Sequence, residues 1–311
     1  QQRPFRFGVQ VRGTGDLREW TELARRVEGF GYSTMTMPDH FDDQLAPVPA
    51  LQSAADVTST LRLGALVYDN DYKHPVVLAK ELATMDVLSE GRVEIGLGAG
   101  WMRSDYEQSG IPYDPPGVRV SRMIEGLEVI KRALTGEEFS YEGEHYLISG
   151  YSGRPLPIQN PPPVLIGGGG PRMLRFAARQ ADIIGINPTL TSGAIDASTF
   201  ESMTDEATAG KVELVTATAT EAGRLDAIEL NIRTFMVMIT DDVDGSLDML
   251  SQFTGAPTDV IATSPFALVG PPAKIVDDLR ERRERYGFSY VIVGQDDVEP
   301  FAPVVAELSG T

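Results

Sequence analysis

The feature that most constrains the fold of this chain is a regular alternation of short apolar segments with helix-like segments. Eight segments are β-like: 5–11, 32–37, 61–67, 91–100, 163–168, 181–187, 228–240 and 288–294. Strands that alternate with helices are typical of parallel βαβ units. We therefore predict an α/β fold in which residues 1–311 form a single (β/α)8 TIM barrel. A doubly wound open sheet is the structural alternative.

Three stretches do not fit the alternation and are predicted to be insertions in the barrel. They are residues 101–116, 136–162 and 188–225. Within the second, residues 139–150 are interpreted as a hairpin. We expect the second and third insertions to cover the active site, because excluding water protects a reactive hydride.

Composition excludes several classes of function. The net charge of −18 argues against nucleic acid or an anionic membrane as a general partner. No cysteine is present, which removes disulfides, thiolate nucleophiles and cysteine zinc sites. No apolar run reaches 18 residues, and the first residues lack the layout of a signal peptide. We expect a cytoplasmic protein that acts on a small molecule.

Four consecutive glycines, Gly167, Gly168, Gly169 and Gly170, lie between a β-like segment and a helix that begins near Pro171. The motif is not a P-loop, because no Lys-Ser/Thr pair follows it. A glycine-rich turn that leads into a helix nevertheless exposes backbone N–H groups at the positive end of the helix dipole. We predict a phosphate site here, with Arg172 adding charge. A flexible turn is the alternative.

The segment "MPDHF" places Asp39 and His40 directly after the second strand. Catalytic groups of a barrel lie at the carboxyl ends of its strands. A histidine beside a carboxylate can donate or accept a proton. We predict that this pair is catalytic, with a helix-capping aspartate and a backbone-bonded histidine as the alternative. No metal site is predicted, since the acidic residues nearby lack a second histidine.

Two further strand ends are candidate parts of a pocket. Tyr68 and Asp69 belong to a polar turn after the third strand. After the fourth strand, "GLGAGW" departs from the dinucleotide-binding fingerprint, because Trp101 stands where its third glycine is required. Gly98, Ala99 and Gly100 could accommodate a flat ligand, or could serve only the packing of a narrow barrel.

Long stretches of the chain resemble the bacterial luciferase-like superfamily of flavin and deazaflavin oxidoreductases. These stretches are "MPDHF", "LGALVYDNDYKHPVVLAKELATMDVLSEGRVEIGLGAGW", "PVLIGGGGPRML" and "LVGPPAKIVDDLRERRERYGFSYVIVG". They cover nearly the whole chain in the family's order. The sequences of these stretches are similar to those of an actinobacterial branch that depends on the deazaflavin coenzyme F420.

The resemblance implies a barrel whose strand ends receive a tricyclic ring, with the cofactor phosphate on the loop 167–172. In the family, a bulge after the third strand supports the ring, often through a non-prolyl cis peptide. The matching residues here are Leu66 and Val67, followed by Tyr68. The loop after the fourth strand matches from Gly98 to Trp101, with Ser104 beyond it. Trp101 stands in place of the catalytic glutamate of the family's sugar-phosphate dehydrogenases, which argues against that reaction here.

Together these features predict an F420-dependent oxidoreductase that transfers a hydride between the deazaflavin and a small organic substrate. His40 is the expected proton donor or hydrogen bond to the ring, with Asp39 orienting or tuning it. A reduced-FMN monooxygenase is the first alternative. A barrel glycoside hydrolase and a non-catalytic cofactor-binding protein are further alternatives. A homodimer is also expected from the resemblance.

Overall fold

The structure, a computed structural model, describes residues 2–13, 15–190, 193–195 and 197–311. The chain divides into two compact units. Unit 1 contains the chain up to Val11, Arg26–Thr34 and Ile166–Thr311, and unit 2 contains Arg12–Arg25 and Met35–Leu165. Each unit combines parallel strands with helices. The predicted single domain stays a prediction.

The described residues form thirteen strands and twelve α-helices. The strands are β1 (Arg6–Gln10), β2 (Thr34–Met37), β3 (Arg62–Ala65), β4 (Tyr68–Asp69), β5 (Ile95–Gly98), β6 (Phe139–Glu142), β7 (Leu147–Tyr151), β8 (Val164–Gly168), β9 (Ile183–Ile186), β10 (Glu229–Arg233), β11 (Met236–Ile239), β12 (Ala267–Gly270) and β13 (Phe288–Gly294). The helices are α1 (Leu17–Gly29), α2 (Pro47–Ala55), α3 (Pro75–Leu88), α4 (Arg103–Ser109), α5 (Pro116–Thr135), α6 (Pro171–Gln180), α7 (Ala197–Glu201), α8 (Asp205–Glu221), α9 (Val243–Thr254), α10 (Thr258–Thr263), α11 (Pro272–Tyr286) and α12 (Ala302–Leu308). None of the helices in these described ranges has the length and apolar character needed to cross a membrane.

Unit 1 is built on a parallel sheet in the order β1, β13, β10, β9 and β8. β13 is buried almost throughout, as expected for a central parallel strand. Its register pairs Gly294 with Gln10 of β1 and Ile292 with Arg233 of β10. Because parallel strands share one direction, the carboxyl ends of β1, β10 and β13 meet at one edge of this sheet.

The single strand predicted over residues 228–240 is wrong, because the structure contains two strands there. β10 ends at Arg233, and both the backbone amide and the hydroxyl of Thr234 donate to the Ile292 carbonyl, at 2.9 and 3.0 Å. The chain then leaves the sheet, and β11 pairs in parallel with β12, a strand that the sequence analysis missed. Four apolar residues between helices give too short a pattern to be recognised as a strand.

The predicted insertions contain regular structure. Residues 139–150 form the expected hairpin, with β6 and β7 antiparallel. Residues Asp205–Glu221 of the stretch 188–225 form a helix, α8, which Thr204 caps at its amino end and which packs on α6. Residues 191, 192 and 196 of that stretch lie outside the described residues. The stretch 101–116 contains the short helix α4.

Unit 2 contains two neighbouring strand pairs, β2 with β3 and β4 with β5. The predicted strand 61–67 is shorter in the structure: β3 ends at Ala65, and a cis Leu66–Val67 peptide bond lies between β3 and β4. A parallel bridge joins Leu63 of β3 to Val93, two residues before β5. Helix α3 buries Leu78, Leu82 and Met85. The residues that follow β2, β4 and β5 lie at the carboxyl ends of these strands and form the candidate site of unit 2.

The crossing of β3 and β5 gives a prediction about stability. A Cβ added at Gly96 would overlap the backbone carbonyl oxygen of Ala65. We expect Gly96→Ala to lower the free energy of unfolding by about 3 kcal/mol, the upper range for overpacking. Gly210 in α8 is exposed and has no atom within 4 Å of such a Cβ, so Gly210→Ala is expected to stabilise by about 1 kcal/mol. Urea unfolding of both variants measures the difference, and equal effects would contradict the packing.

Candidate active site

The imidazole of His40 is held by a carboxylate that the sequence analysis did not single out. His40 follows β2, and Asp105 lies 65 residues later in the first turn of α4. The Nδ1 atom of His40 is 2.6 Å from Oδ2 of Asp105, and only 11% and 5% of the two side chains are exposed. The Tyr72 hydroxyl also donates to Oδ2, at 3.0 Å. This carboxylate favours a hydrogen on Nδ1 and leaves Nε2 to exchange a proton.

Nε2 of His40 has no hydrogen-bond partner among the described residues. The Trp101 ring lies beside the imidazole, with ring centroids 5.7 Å apart and planes at 87°. Side chains from α5 and from the loop before it hydrogen-bond to the backbone around Trp101. Arg119 donates to the Ala99 carbonyl at 3.3 Å, and the Tyr113 hydroxyl donates to the Trp101 carbonyl at 3.1 Å. The histidine is therefore fixed through Nδ1, while its Nε2 atom has no partner among the described residues and the ring lies next to the apolar Trp101.

Asp39 does not hydrogen-bond to His40, contrary to the orienting role that the sequence suggested for it. Its Oδ2 atom accepts the backbone amide of Asp69 at 3.2 Å, which ties the end of β2 to β4. Burial raises the pKa of Asp39, although the Asp69 amide and the nearby charges of Lys73 and His40 act in the opposite direction. Asp39 thus acts on His40 through charge alone, and its catalytic role stays a prediction. The orienting contact belongs to Asp105 because α4 carries that carboxylate against the imidazole.

Asp69 is a second titratable group at the end of β4, and it is only 6% exposed. Its carboxylate accepts the Tyr106 hydroxyl at 3.0 Å and the Asp71 backbone amide at 2.9 Å. Burial nevertheless raises the pKa of Asp69 to about 7, with the nearby Asp71 contributing. Asp71 itself is neutralised by Arg122, 2.9 Å away. The site therefore contains one carboxyl group that titrates near neutral pH.

The glycines after β5 make room for the protein's own side chains. A Cβ at Gly98 would overlap Val67, and one at Gly100 would overlap the Tyr106 hydroxyl and Asp69. Gly100 also has a φ of +73°, which side chains rarely adopt. The Leu66–Val67 bond is cis, as the resemblance implies for a ring-supporting bulge. Packing thus explains both glycines, and cofactor contacts at residues 66–69 and 98–101 stay predictions.

The glycine run at the end of β8 also has packing reasons that the sequence analysis missed. A Cβ added at Gly167 would lie 2.6 Å from the side-chain nitrogen of Asn187. A Cβ at Gly168 would crowd Met173, and one at Gly169 would overlap the Pro188 carbonyl. Only Gly170 faces open space, and it begins α6 without a side-chain cap. Packing therefore accounts for the missing side chains at Gly167, Gly168 and Gly169. The uncapped start of α6 keeps phosphate binding as a prediction.

The remaining two candidates are exposed. Arg172 and Ser104 each lie in the first turn of a helix. The sequence analysis missed Asp105, Tyr72 and Tyr106. The signal that could have found Asp105 is an acidic residue just after the strand end marked by "GLGAGW".

Comparison with known proteins places these residues in a family. A sequence model of the luciferase-like monooxygenase family matches residues 3–290. An uncharacterized Mycobacterium tuberculosis protein is 33% identical over 183 residues, 51% of this chain and 64% of that protein. The F420-dependent glucose-6-phosphate dehydrogenase of Amycolatopsis mediterranei is 29% identical over 173 residues, 53% of this chain and 52% of that enzyme. The FMNH2-dependent dimethylsulfone monooxygenase of Pseudomonas putida is 28% identical over 181 residues, 56% of this chain and 50% of that enzyme. These matches span less than two thirds of the relatives' own length.

A solved structure identifies the fold. The coenzyme F420-dependent tetrahydromethanopterin reductase of Methanopyrus kandleri superposes with a TM-score of 0.77 and covers 98% of each chain, at 22% sequence identity. Likeness at this identity establishes the fold alone. The predicted fold class, an α/β luciferase-like barrel with parallel strands, is confirmed.

Proposed function

Because the chain belongs to the luciferase-like monooxygenase family, we propose that it is an F420-dependent oxidoreductase. Its substrate is a small, mainly apolar organic molecule that gains or loses a hydride and a proton. Relatives that use F420 support the choice of cofactor. The observation that carries the proposal is the His40–Asp105 pair, with Nε2 of His40 left open.

The residues at the carboxyl ends of β2, β4 and β5 fit a heteroatom-rich ring. Two polar groups there have no partner among the described residues, the Nε2 atom of His40 and the buried hydroxyl of Tyr68. Buried polar groups normally find a hydrogen bond, so an unpaired hydroxyl is consistent with a ligand that provides one. The segments 66–69 and 98–101 would hold the ring. When bound, the deazaflavin supplies or accepts the hydride.

The protein's own residues provide the proton and its position. His40 gives a proton to the substrate, or takes one from it, at Nε2. Asp105 keeps the imidazole oriented through Nδ1, and the Tyr72 hydroxyl donates to Asp105. Trp101 provides an apolar wall beside the reacting groups. A substrate without charge on its reacting end suits this wall.

A reduced-FMN monooxygenase is the second candidate, because this chain is about equally similar to an FMNH2-dependent and to an F420-dependent relative. The FMNH2-dependent relative is 28% identical, against 29% for the F420-dependent one. The two candidates differ in their need for oxygen. A deazaflavin has carbon in place of the flavin's nitrogen at position 5 and reacts poorly with oxygen.

Turnover under controlled oxygen tests the proposal. Reduced F420 is mixed anaerobically with enones, imines and quinones, and oxidation of the cofactor is followed by its absorbance. We expect protein-dependent oxidation with at least one substrate class. Oxygen consumption with reduced FMN, together with no anaerobic reaction of reduced F420, would assign the chain to the monooxygenases instead.

Substitution of Asp105 tests its role as a positioning residue. We expect Asp105→Asn to lower kcat by about 10- to 100-fold, a typical loss for a group that orients a catalytic one. Affinity for the cofactor should change little. Tyr72→Phe keeps the carboxylate on His40, so it is the matched control and should lose less. A loss of cofactor affinity that parallels the loss of kcat would show a merely structural role.

A further inference from the structure

Arg233 ends β10 at the carboxyl edge of the unit 1 sheet, and no carboxylate neutralises it directly. Its Nε atom donates to the side-chain oxygen of Gln10 at 3.0 Å. Within the described residues, no Asp or Glu oxygen lies within the 4.0 Å limit of an ion pair with this guanidinium. Asp297 acts on it only as a more distant charge. The cation therefore has a neutral partner where a charged one is expected.

The strands β1 and β10, which flank β13, also carry an arginine at their amino ends, and this arginine has a carboxylate partner. Arg6 of β1 contacts Glu229 of β10 at 2.6 Å and stacks on the Tyr290 ring at 3.6 Å. Within the described residues, the half-buried Arg6 at the amino edge therefore has a carboxylate partner, whereas Arg233 at the carboxyl edge has a neutral one. Ligands of α/β sheets bind outside the carboxyl ends of the strands. The contrast points to an anion that comes from outside the chain.

The atoms around Arg233 show which part of it is available. Nη1 is buried and has no hydrogen-bond partner among the described residues. Burial lowers the pKa of Arg233 to about 10, so the group remains charged at neutral pH. An unpaired buried donor is costly, and a charged one more so, unless a partner arrives. This unmet donor is the strongest single sign of a missing ligand in unit 1.

The surroundings of the guanidinium limit the size and shape of that ligand. Gly294 makes room for it, since an added Cβ would lie 3.2 Å from Nη2. Asp297 is engaged by the Gly294 amide at 3.0 Å. The Phe235 ring lies 5.1 Å from the guanidinium carbon and is 52% exposed, although it is aromatic. Its exposed part offers an apolar surface beside the guanidinium. One unmet nitrogen beside an aromatic ring suits a carboxylate on a flat apolar body better than a phosphate, which needs more donors.

We propose that Arg233 is the anchor of an anion site that binds the carboxylate of a small organic acid. Nη1 donates to a carboxylate oxygen, and Phe235 packs on the apolar part of the acid. The site does not depend on the cofactor assignment, because carboxylate binding is measured on the protein alone.

Benzoate and benzamide form the matched pair of probes, since they share shape and differ in charge. Isothermal titration at constant ionic strength is expected to show benzoate binding at least about tenfold more tightly, because charge-assisted hydrogen bonds are the stronger ones. Arg233→Gln is expected to remove this preference. Arg280→Gln, an exposed arginine of α11 in the same unit, removes the same charge and should leave the preference intact. Melting temperatures establish that both variants fold.

Three results would overturn the proposal. They are equal binding of benzoate and benzamide to the unsubstituted chain, benzoate binding that Arg233→Gln does not weaken, and Arg233-dependent binding of inorganic phosphate with none of benzoate. Arg233→Lys serves if Arg233→Gln fails to fold. It keeps the charge but loses the planar fork, and we expect weakened binding with the preference for benzoate retained. The comparison of the two probes on the unsubstituted chain needs no variant.

Discussion

Replacing His40 with alanine is expected to lower turnover by about 10²- to 10⁴-fold, the usual contribution of a positioned acid or base. The physical reason is the arrangement of its two nitrogens. Nδ1 is bound to Asp105 at 2.6 Å, and Nε2 is open beside Trp101. Without the imidazole, the proton that accompanies the hydride has no donor at this position. The measurement is kcat with the best substrate found, together with cofactor affinity.

Two variants control for the loss of packing. His40→Gln retains an amide that can reach Asp105 but cannot transfer a proton, so we expect it to lose nearly as much activity as His40→Ala. His74→Asn changes the histidine that caps α3, where asparagine is also a good cap, and should leave activity unchanged. Unchanged turnover of His40→Ala with cofactor still bound would remove His40 from the mechanism.

The second large effect concerns stability as a function of pH. Burial raises the pKa of Asp69 to about 7, from an ordinary value of 3.8. The folded chain therefore binds this proton more tightly than the unfolded chain does. Stability from Asp69 is fully present below pH 4 and is lost as pH rises towards 7. Since a tenfold change in proton affinity is worth about 1.4 kcal/mol, the loss is about 4 kcal/mol.

Urea unfolding of the unsubstituted chain and of Asp69→Asn between pH 4 and 8 isolates this effect. The asparagine stays neutral at every pH and can still accept the Tyr106 hydroxyl. We expect the stability of the unsubstituted chain, relative to Asp69→Asn, to fall across this range. Asp248→Asn, an exposed position in α9, measures the effect of removing a charge alone. A relative stability that is flat or rises with pH would contradict the buried, neutral carboxyl group.

Much of the fold could be predicted from the sequence, because its strands repeat a strong local signal. The predicted segments 32–37, 91–100 and 288–294 contain the strands β2, β5 and β13, and residues 139–150 form the predicted hairpin. The failure at 228–240 has a tertiary cause. Thr234 is drawn to the Ile292 carbonyl of a distant strand, and no local pattern records that bond.

The site was predictable only in part, because its key contact joins residues far apart in the chain. His40 was found from its place after a strand, which barrel geometry makes informative. Asp105 was missed because it lies inside a stretch interpreted as an insertion, and only the fold of α4 brings it to His40. The glycine run at 167–169 predicts a ligand from the sequence, but Asn187, Met173 and Pro188 also leave no room for side chains there. Sequence shows where side chains are absent, but not which neighbours require their absence.

The measurement that tests the central claim most directly is a pair of binding titrations, with F420 and with FMN. Both are followed by fluorescence quenching at equal ionic strength, on the full chain. The proposed function predicts micromolar or tighter binding of F420 and clearly weaker binding of FMN. Tighter binding of FMN would move the chain to the flavin monooxygenases, and binding of neither would contradict the assignment of a cofactor altogether.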